Sequence, residues 1–327
     1  MPVSKALILL LMFLPCAAGT DACKTVKLTD DEYDNHSPVW SPNGKKIAYV
    51  SIRGRKKCLV LRPAACSKDE KILAENIADT PVISWQPDGR FIAVTACLKN
   101  EKLVYVINTV TGQCRVFPGT FCKYSPNGKI LAVIQNGRIA LLNSVTGKVD
   151  KKFKVPVNVQ GFDWSPDGKI IFYSCDGDLW KMDIDGSSIV RLLNHTKGSK
   201  GVTSPFIESP KVYLGGKKVI FSLIVDGLYA GTTHNMTGSY DIANASFAVL
   251  GDADGWDVSP CGRWIVMAVG SNLMLYDLDK NKTVMIGNGS EPSFSPDGRR
   301  IAYSHSKELF APGEIFIMEM PESCFKK

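Results

Sequence analysis

Short runs of apolar, β-branched and aromatic residues recur along this chain, each entered through a polar turn of the same make-up. VWSPNGKKIAYV begins at Val39, SWQPDGRFIAVT at Ser84, CKYSPNGKILAV at Cys122 and FDWSPDGKIIFY at Phe162. WDVSPCGRWIVM begins at Trp256 and PSFSPDGRRIAY at Pro292, and a degraded copy, KVYLGGKKVIFS, at Lys211. The apolar runs carry little helical periodicity and read as strands buried on both faces. Proline presets φ at the first turn position, Asp or Asn tolerates the next, and glycine takes the position with φ > 0. The turn glycines are Gly44, Gly89, Gly128, Gly168, Gly216, Gly262 and Gly298, spaced 36–48 residues apart.

A second pair of strands follows each turn. In the fourth copy these are Asp178–Asp183 and Ser188–Leu193 around Asp185-Gly186; in the third, Arg138–Asn143 and Val149–Lys154 around Thr146-Gly147. Four strands at a period near forty residues make a propeller blade, so the expected fold is an all-β propeller. Seven glycine turns predict seven blades, with repeats near 38–76, 81–118, 120–155, 160–194, 202–250, 254–286 and 290–322. The fifth copy lacks the SPDG turn and is longer, so six blades plus an insertion is the alternative. The last copy stops after a third strand, Glu314–Met320. Lys24–Thr29 reads as the missing fourth strand, and pairing it there closes the ring and removes two open edges.

The SPDGK-IAY motif with its following strand–DxDG–strand resembles the repeats of TolB-like β-propellers, over nearly the whole chain after residue 20. The resemblance implies a propeller domain. Because the first repeat starts within twenty residues of a predicted cleavage point, TolB's further N-terminal domain is not expected, nor its docking to envelope lipoproteins.

That cleavage point comes from the N-terminus. Lys5, the apolar run Ala6–Leu14 and the small residues Ala17-Ala18-Gly19 form a signal peptide over 1–19, leaving a propeller domain over 20–327. No later segment has the apolar length of a membrane span. Ten of the 327 residues are cysteines, and Cys16 leaves with the signal. The nine that remain have no CxxC spacing, which favours disulfides over zinc. Cys23 with Cys324 would staple the closing strand, and Cys58 with Cys66 would bridge a hairpin turning at Pro63. Cys97 with Cys122 would link one blade to the next; Cys114, Cys175 and Cys261 have no assignment. N-x-S/T triplets occur at Asn35, Asn194, Asn235, Asn244, Asn281 and Asn288. Pro38 hinders the first, and the other five predict a eukaryotic secretory glycoprotein, with a bacterial periplasm as the alternative address.

Chemistry is sparse. There is no G-x-S-x-G of the prolyl-oligopeptidase hydrolases and no Thr-Trp of sialidase turns. His36, His195, His234 and His305 read as lying in unrelated blades or linkers. Asp252, Asp254 and Asp257 offer oxygen ligands at Ca²⁺-like spacing, but the DG pair is an ordinary turn former. No cofactor is implied. Arg53, Arg55, Lys56 and Lys57, in a chain of formal charge +7, suggest an anionic partner, although Asp30, Asp31, Glu32 and Asp34 lie nearby. Tyr229, His234, Tyr240 and Phe247 mark the irregular fifth copy as a loop-rich binding candidate. The expectation is a secreted scaffold that binds a protein or glycan through one face or the central funnel, and not nucleic acid. The alternatives are a small-molecule or lyase-type enzyme and a structural module of an envelope or matrix assembly.

Overall fold

The computed structural model describes residues 24–65, 69–153, 158–194, 206–226, 233–306, 311–321 and 324. All seven turn glycines have φ between +65° and +90°. The serine of the motif does more than end a strand. In the fourth blade Ser165 Oγ donates to Asp167 Oδ1 at 2.6 Å and accepts the Ile170 amide at 2.9 Å. Asp167 Oδ1 also accepts the Lys169 amide at 3.1 Å. The same set forms around Ser41, Ser125 and Ser295, with Asn43, Asn127 and Asp297 as acceptors. S-P-[DN]-G is therefore a closed hydrogen-bonded knot, each bond contributing about 1 kcal/mol net.

These turns connect seven four-stranded antiparallel sheets, the blades of a seven-bladed β-propeller. Several strands match the sequence reading to the residue, including Arg138–Asn143 and Asp178–Asp183. Others are trimmed: Val149–Lys152, Ile189–Leu193 and Glu314–Glu319. The fifth copy is a full blade rather than an insertion: Phe206–Tyr213, Lys218–Asp226, Thr233–Asp241 and Ser246–Asp252. Its second and third strands pair over nine residues. A single 3-10 turn, Leu214–Gly216, stands where SPDG would be. Two consecutive left-handed glycines, Gly215 and Gly216, make that tighter turn possible without proline.

The seventh blade takes its fourth strand from the other end of the chain. Thr25–Lys27 pairs antiparallel with Phe316–Met318. The strand is shorter than Lys24–Thr29 because the Leu28 and Thr29 amides both donate to the Ile315 carbonyl, which ends the ladder. Thr29 still holds on from within the core: fully buried, it accepts the Ile315 amide on Oγ1 at 2.8 Å.

The chain packs as two compact units, Val159–Ala253 and Gly19–Asn158 with Asp254–Lys327. The first holds the fourth and fifth blades, the second the other five. Within each, one device recurs, at three of the seams between successive blades. The residue five before the turn glycine accepts the amide of the residue four before the next blade's glycine. Ser84 Oγ takes the Tyr124 amide (3.0 Å), Asp163 Oδ2 that of Val212 (2.9 Å) and Asp257 Oδ2 that of Phe294 (2.7 Å). The turns also stack. A Cβ on Gly128 would lie 3.1 Å from Pro87 Cδ, and one on Gly216 3.2 Å from Pro166 Cδ. Glycine there serves the next blade's approach as well as the turn. Apolar cores also fill seams: Trp40, Ile47 and Tyr49 pack with Ala302, Ile315 and Ile317, and Phe172 and Leu179 pack with Ile207 and Phe221.

Candidate functional site: a polar cleft between the seventh and first blades

The first strand of the first blade, Asp34–Trp40, and that of the seventh, Ser290–Phe294, each carry a residue before proline with positive φ: Ser37 at 53° and Glu291 at 50°. Each sits at a register shift in its ladder. Such φ values in non-glycine residues are strained and persist only where surroundings hold them. Here each holds the other. Glu291 accepts the Ser37 amide at 2.7 Å, Ser37 Oγ at 2.9 Å and Ser304 Oγ at 3.1 Å.

Beside this clasp opens a cleft of about 180 Å³. Asp34, Asn35 and His36 form one wall, Ser290 and Glu291 another, and Ser304, His305, Ser306 and Gly313 the rest. His36 Nδ1 lies 3.0 Å from Ser37 Oγ and 3.9 Å from Glu291 Oε1. His305 meets the Phe316 ring edge-on at 5.9 Å. Gly313 closes tightly on the first blade. Its amide donates to Asp34 Oδ1 and its carbonyl accepts the Asn35 amide, both at 2.8 Å. A Cβ there would come within 2.9 Å of the Asn35 carbonyl oxygen and of Asp34 Oδ1, so only glycine fits.

Asn35 is fully buried, and its amide nitrogen donates to Asp31 Oδ1 and the Tyr33 carbonyl. Its side-chain oxygen has no hydrogen-bond partner. A buried acceptor left unpaired costs about 1–3 kcal/mol.

His36 and His305, expected in unrelated blades, line this one cleft, because ring closure makes the last blade neighbour to the first. Glu291 and Ser304 were not singled out from sequence. The available signal was the repeated Ser/Glu-Pro of HSPVW, IESPKVY and SEPSF, where Ser209 also has positive φ. His195 and Tyr229 lie outside the described residues, and so does the side chain of His234. Tyr240 is buried, its ring packed in the core of the fourth and fifth blades. Phe247 is exposed and stacks on Phe221 at 6.0 Å.

Three of the four residues of the basic cluster, Arg53, Lys56 and Lys57, form ion pairs. Arg53 pairs with Glu70 (2.7 Å), Lys56 with Glu75 (2.8 Å) and Lys57 with Asp79. Lys27 pairs with Asp30 and Glu314, and the hydrogen bonds it donates to both hold its ammonium above the ordinary lysine value. Asp257 spends both oxygens on backbone amides, of Val258 and Phe294, and Asp254 accepts the Gly270 amide. Asp252 ends the fourth strand of the fifth blade. Among the described residues no three His, Cys, Asp or Glu converge on a metal position.

Cys58 lies in the strand Lys56–Pro63, facing Ser51 and Glu75, and the turn expected at Pro63 falls at Ala64–Ala65 instead. Cys66, Cys23 and the signal segment 1–19 lie outside the described residues. Cys97 is an exposed free thiol at a strand end; Cys122 is fully buried, also as a free thiol. Burial pushes the Cys122 thiol up and Cys175 up to about 12, so both are poor nucleophiles. Cys324 is buried against Met318 and Met320 of the seventh blade. All five expected glycan asparagines, Asn194, Asn235, Asn244, Asn281 and Asn288, are exposed.

No family model matches the chain. Two curated proteins do over a short stretch: the Tol-Pal system protein TolB of Ruthia magnifica subsp. Calyptogena magnifica and that of Vesicomyosocius okutanii subsp. Calyptogena okutanii (strain HA). Each is 37% identical over 71 residues, covering 21% of this chain and 16% of the relative. The match thus spans about a sixth of those proteins' length, and it bears out the TolB-like character of the repeat. Among solved structures, an oligogalacturonate lyase from Vibrio parahaemolyticus superposes with a TM-score of 0.68 at 14% identity, covering 95% of this chain and 96% of that one. Kuenenia stuttgartiensis hydrazine synthase gives 0.67 at 15%, covering 89% and 97%. The Cps50 (Swd1) β-propeller domain of Myceliophteria thermophila gives 0.62 at 11%, covering 91% and 100%. At these identities the likeness is one of fold.

Proposed function

We propose that this chain is an exported recognition scaffold, and that the cleft between its seventh and first blades receives a donor-bearing group of a protein or glycan partner. The observation that carries this reading is an open polar cleft lined by Asp34, Glu291 and Asn35, the last with a buried side-chain oxygen that has no hydrogen-bond partner. The carboxylates of Asp34 and Glu291 add acceptors that are already held in place, so little ordering remains to be done on binding. Ammonium, guanidinium and sugar hydroxyl groups all have the hydrogens this wall accepts. Export rests on the signal-peptide pattern; the periplasm is the alternative address, in keeping with the bacterial sources of the TolB relatives.

A second reading, a lyase-type enzyme, is favoured by one observation. His36, His305 and Glu291 share the cleft, and one structural neighbour is an oligogalacturonate lyase. Against it, Glu291 is already bonded to three donors, which lowers its capacity as a base.

A photoreactive side chain at Ser306 distinguishes the readings. On native secreted material it should form adducts with a protein or glycan, and the same label at exposed Val145 should not. Adducts from both positions in equal yield, or from neither, would remove the cleft as the binding place. Eliminative cleavage of acidic oligosaccharides, abolished by His36→Ala, would establish the enzyme instead.

A further inference from the structure

In each blade the fourth strand is a sheet edge, and its side chains are more exposed than those of the second and third strands. An exposed edge invites pairing with another chain, and proteins blunt it with charge, proline or a covering group. The first three blades use charge and proline. Their fourth strands, Lys71–Glu75, Cys114–Pro118 and Val149–Lys152, hold six charged residues among fourteen, and Pro118 besides. The next three are much poorer. Ile189–Leu193, Ser246–Asp252 and Lys282–Asn288 hold three charged residues among nineteen. They also expose Ile189, Val190, Phe247, Val284 and Met285.

Five N-x-S/T triplets fall on or beside these charge-poor strands and none beside the first three. Asn281 immediately precedes Lys282–Asn288, and Asn288 ends it. Asn244 lies in the turn before Ser246–Asp252; at that strand's far end the Asn235 carbonyl accepts the Ala253 amide at 3.0 Å. Asn194 directly follows Ile189–Leu193. All five are exposed, whereas Asn35, the sixth triplet, is fully buried. At Asn281 the Tyr276 hydroxyl donates to Oδ1, not to the nitrogen that a sugar would occupy. At Asn288 the nitrogen donates to Asn272 Oδ1 at 3.1 Å, and a substituted amide keeps one hydrogen for that bond.

We propose that N-linked glycans at these asparagines are edge guards, covering the fourth strands of the fourth, fifth and sixth blades in place of charge. The proposal rests on export through a eukaryotic secretory pathway. There the asparagine Nδ2 forms a C–N bond to the anomeric carbon of a diphospholipid-linked oligosaccharide. The C–O bond to the diphosphate breaks, the lipid diphosphate leaves with the electron pair, and Nδ2 gives up one proton. A hydrated glycan anchored at each end of a strand blocks a second strand from docking alongside.

The test uses the full chain secreted from a eukaryotic host, with glycopeptide mapping and size-exclusion light scattering. The expected map shows sugar at Asn281 and Asn288 and at one or more of Asn194, Asn235 and Asn244, and none at Asn35. Enzymatic removal of glycans from the folded protein, and separately N281Q/N288Q, should raise the oligomer fraction severalfold. Adding V284K/M285K to N281Q/N288Q should return the protein to monomer without sugar, an effect that a glycan needed only for folding would not give. Secretion with all five sites bare leaves export standing and overturns the proposal. Failure to secrete overturns both. A deglycosylated protein that stays monomeric, or lysines that fail to restore the monomer, also overturns it.

Discussion

Two seams between blades, built from the same repeat, have different interiors. Where the fourth blade meets the fifth, Asp163 is buried and its carboxylate bonds the Val212 amide, while Phe172, Leu179, Ile207 and Phe221 fill the space behind it. Where the seventh meets the first, the apolar core of Trp40, Ile47, Tyr49, Ala302, Ile315 and Ile317 is joined by longer-reaching polar contacts. Trp40 Nε1 donates to the Ser293 carbonyl (3.1 Å), Arg300 donates to the Gly44 carbonyl (3.2 Å) and stacks on the Trp40 ring, and Glu291 clasps Ser37. Only the second seam depends on the chain's two ends meeting. Both seams hold an apolar core; the closing seam adds the Glu291–Ser37 clasp, and the polar cleft opens beside it.

Removing residues 20–30 should break this comparison most severely. The seventh blade would lose Thr25–Lys27, buried Leu28 and the Thr29 bond to Ile315. A lost core leucine costs about 2–5 kcal/mol and the Thr29 bond about 1. A fall in Tm of roughly 5–10 °C follows for a domain of this size. A shortened chain that melts with the parent in calorimetry would mean the closing strand contributes nothing.

Asp163→Ala should come next, at about 2–3 kcal/mol, because it leaves the Trp164 and Val212 amides without their charged acceptor. Glu291→Ala should cost about 1 kcal/mol or less, since Glu291 is 43% exposed and water can take its place. Urea unfolding of the two variants tests the order; Glu291→Ala proving the costlier would invert the contrast between the seams.

Gly313→Ala should cost about 1–3 kcal/mol and act at the cleft, its Cβ pushing the loop off Asp34 and Asn35. Partner adducts at Ser306 should fall while the far-ultraviolet spectrum stays unchanged. Unaltered adducts would separate the cleft from recognition.

The smallest effect is acid sensitivity of the turns. Ser165 Oγ, together with the Lys169 amide, holds the Asp167 carboxyl below its ordinary value. At Asp297 burial acts the other way, but bonds from Ser295 and the Arg299 amide outweigh it and the value is again lowered. A lowered carboxylate stabilises the fold above its unfolded value, and that contribution is lost as pH falls through the folded one. Both turns should therefore weaken only below about pH 4. D167N/D297N, which copies the Asn of the first and third blades, should flatten the Tm profile between pH 2 and 4. An unchanged acid limb would show that these carboxylates carry no linkage.

Much of the fold was legible because each repeat writes its own turn. A proline, an Asn or Asp and a glycine fix the backbone locally, and all seven glycines behave as read. The closing strand was legible too, since a last copy with three strands needs a fourth. The cleft was not, because it joins His36 and Glu291 across about 250 residues, and no local pattern reports such a meeting. Ring closure places His36 and His305 in neighbouring blades, but topology alone does not say which way their side chains turn. The ion pairs of the basic hairpin were not legible for a similar reason: Glu70, Glu75 and Asp79 come from the next strand and the loops on either side of it.

The most direct test of closure by the N-terminal strand is amide hydrogen exchange at Ile315 and Glu319. Their protons are bonded to Thr29 Oγ1 and to the Lys24 carbonyl. In the full chain both should exchange as slowly as the Val219–Tyr240 ladder of the fifth blade. In the chain lacking residues 20–30 both should exchange rapidly while that ladder stays protected. Slow exchange at Ile315 and Glu319 in the shortened chain would contradict the account.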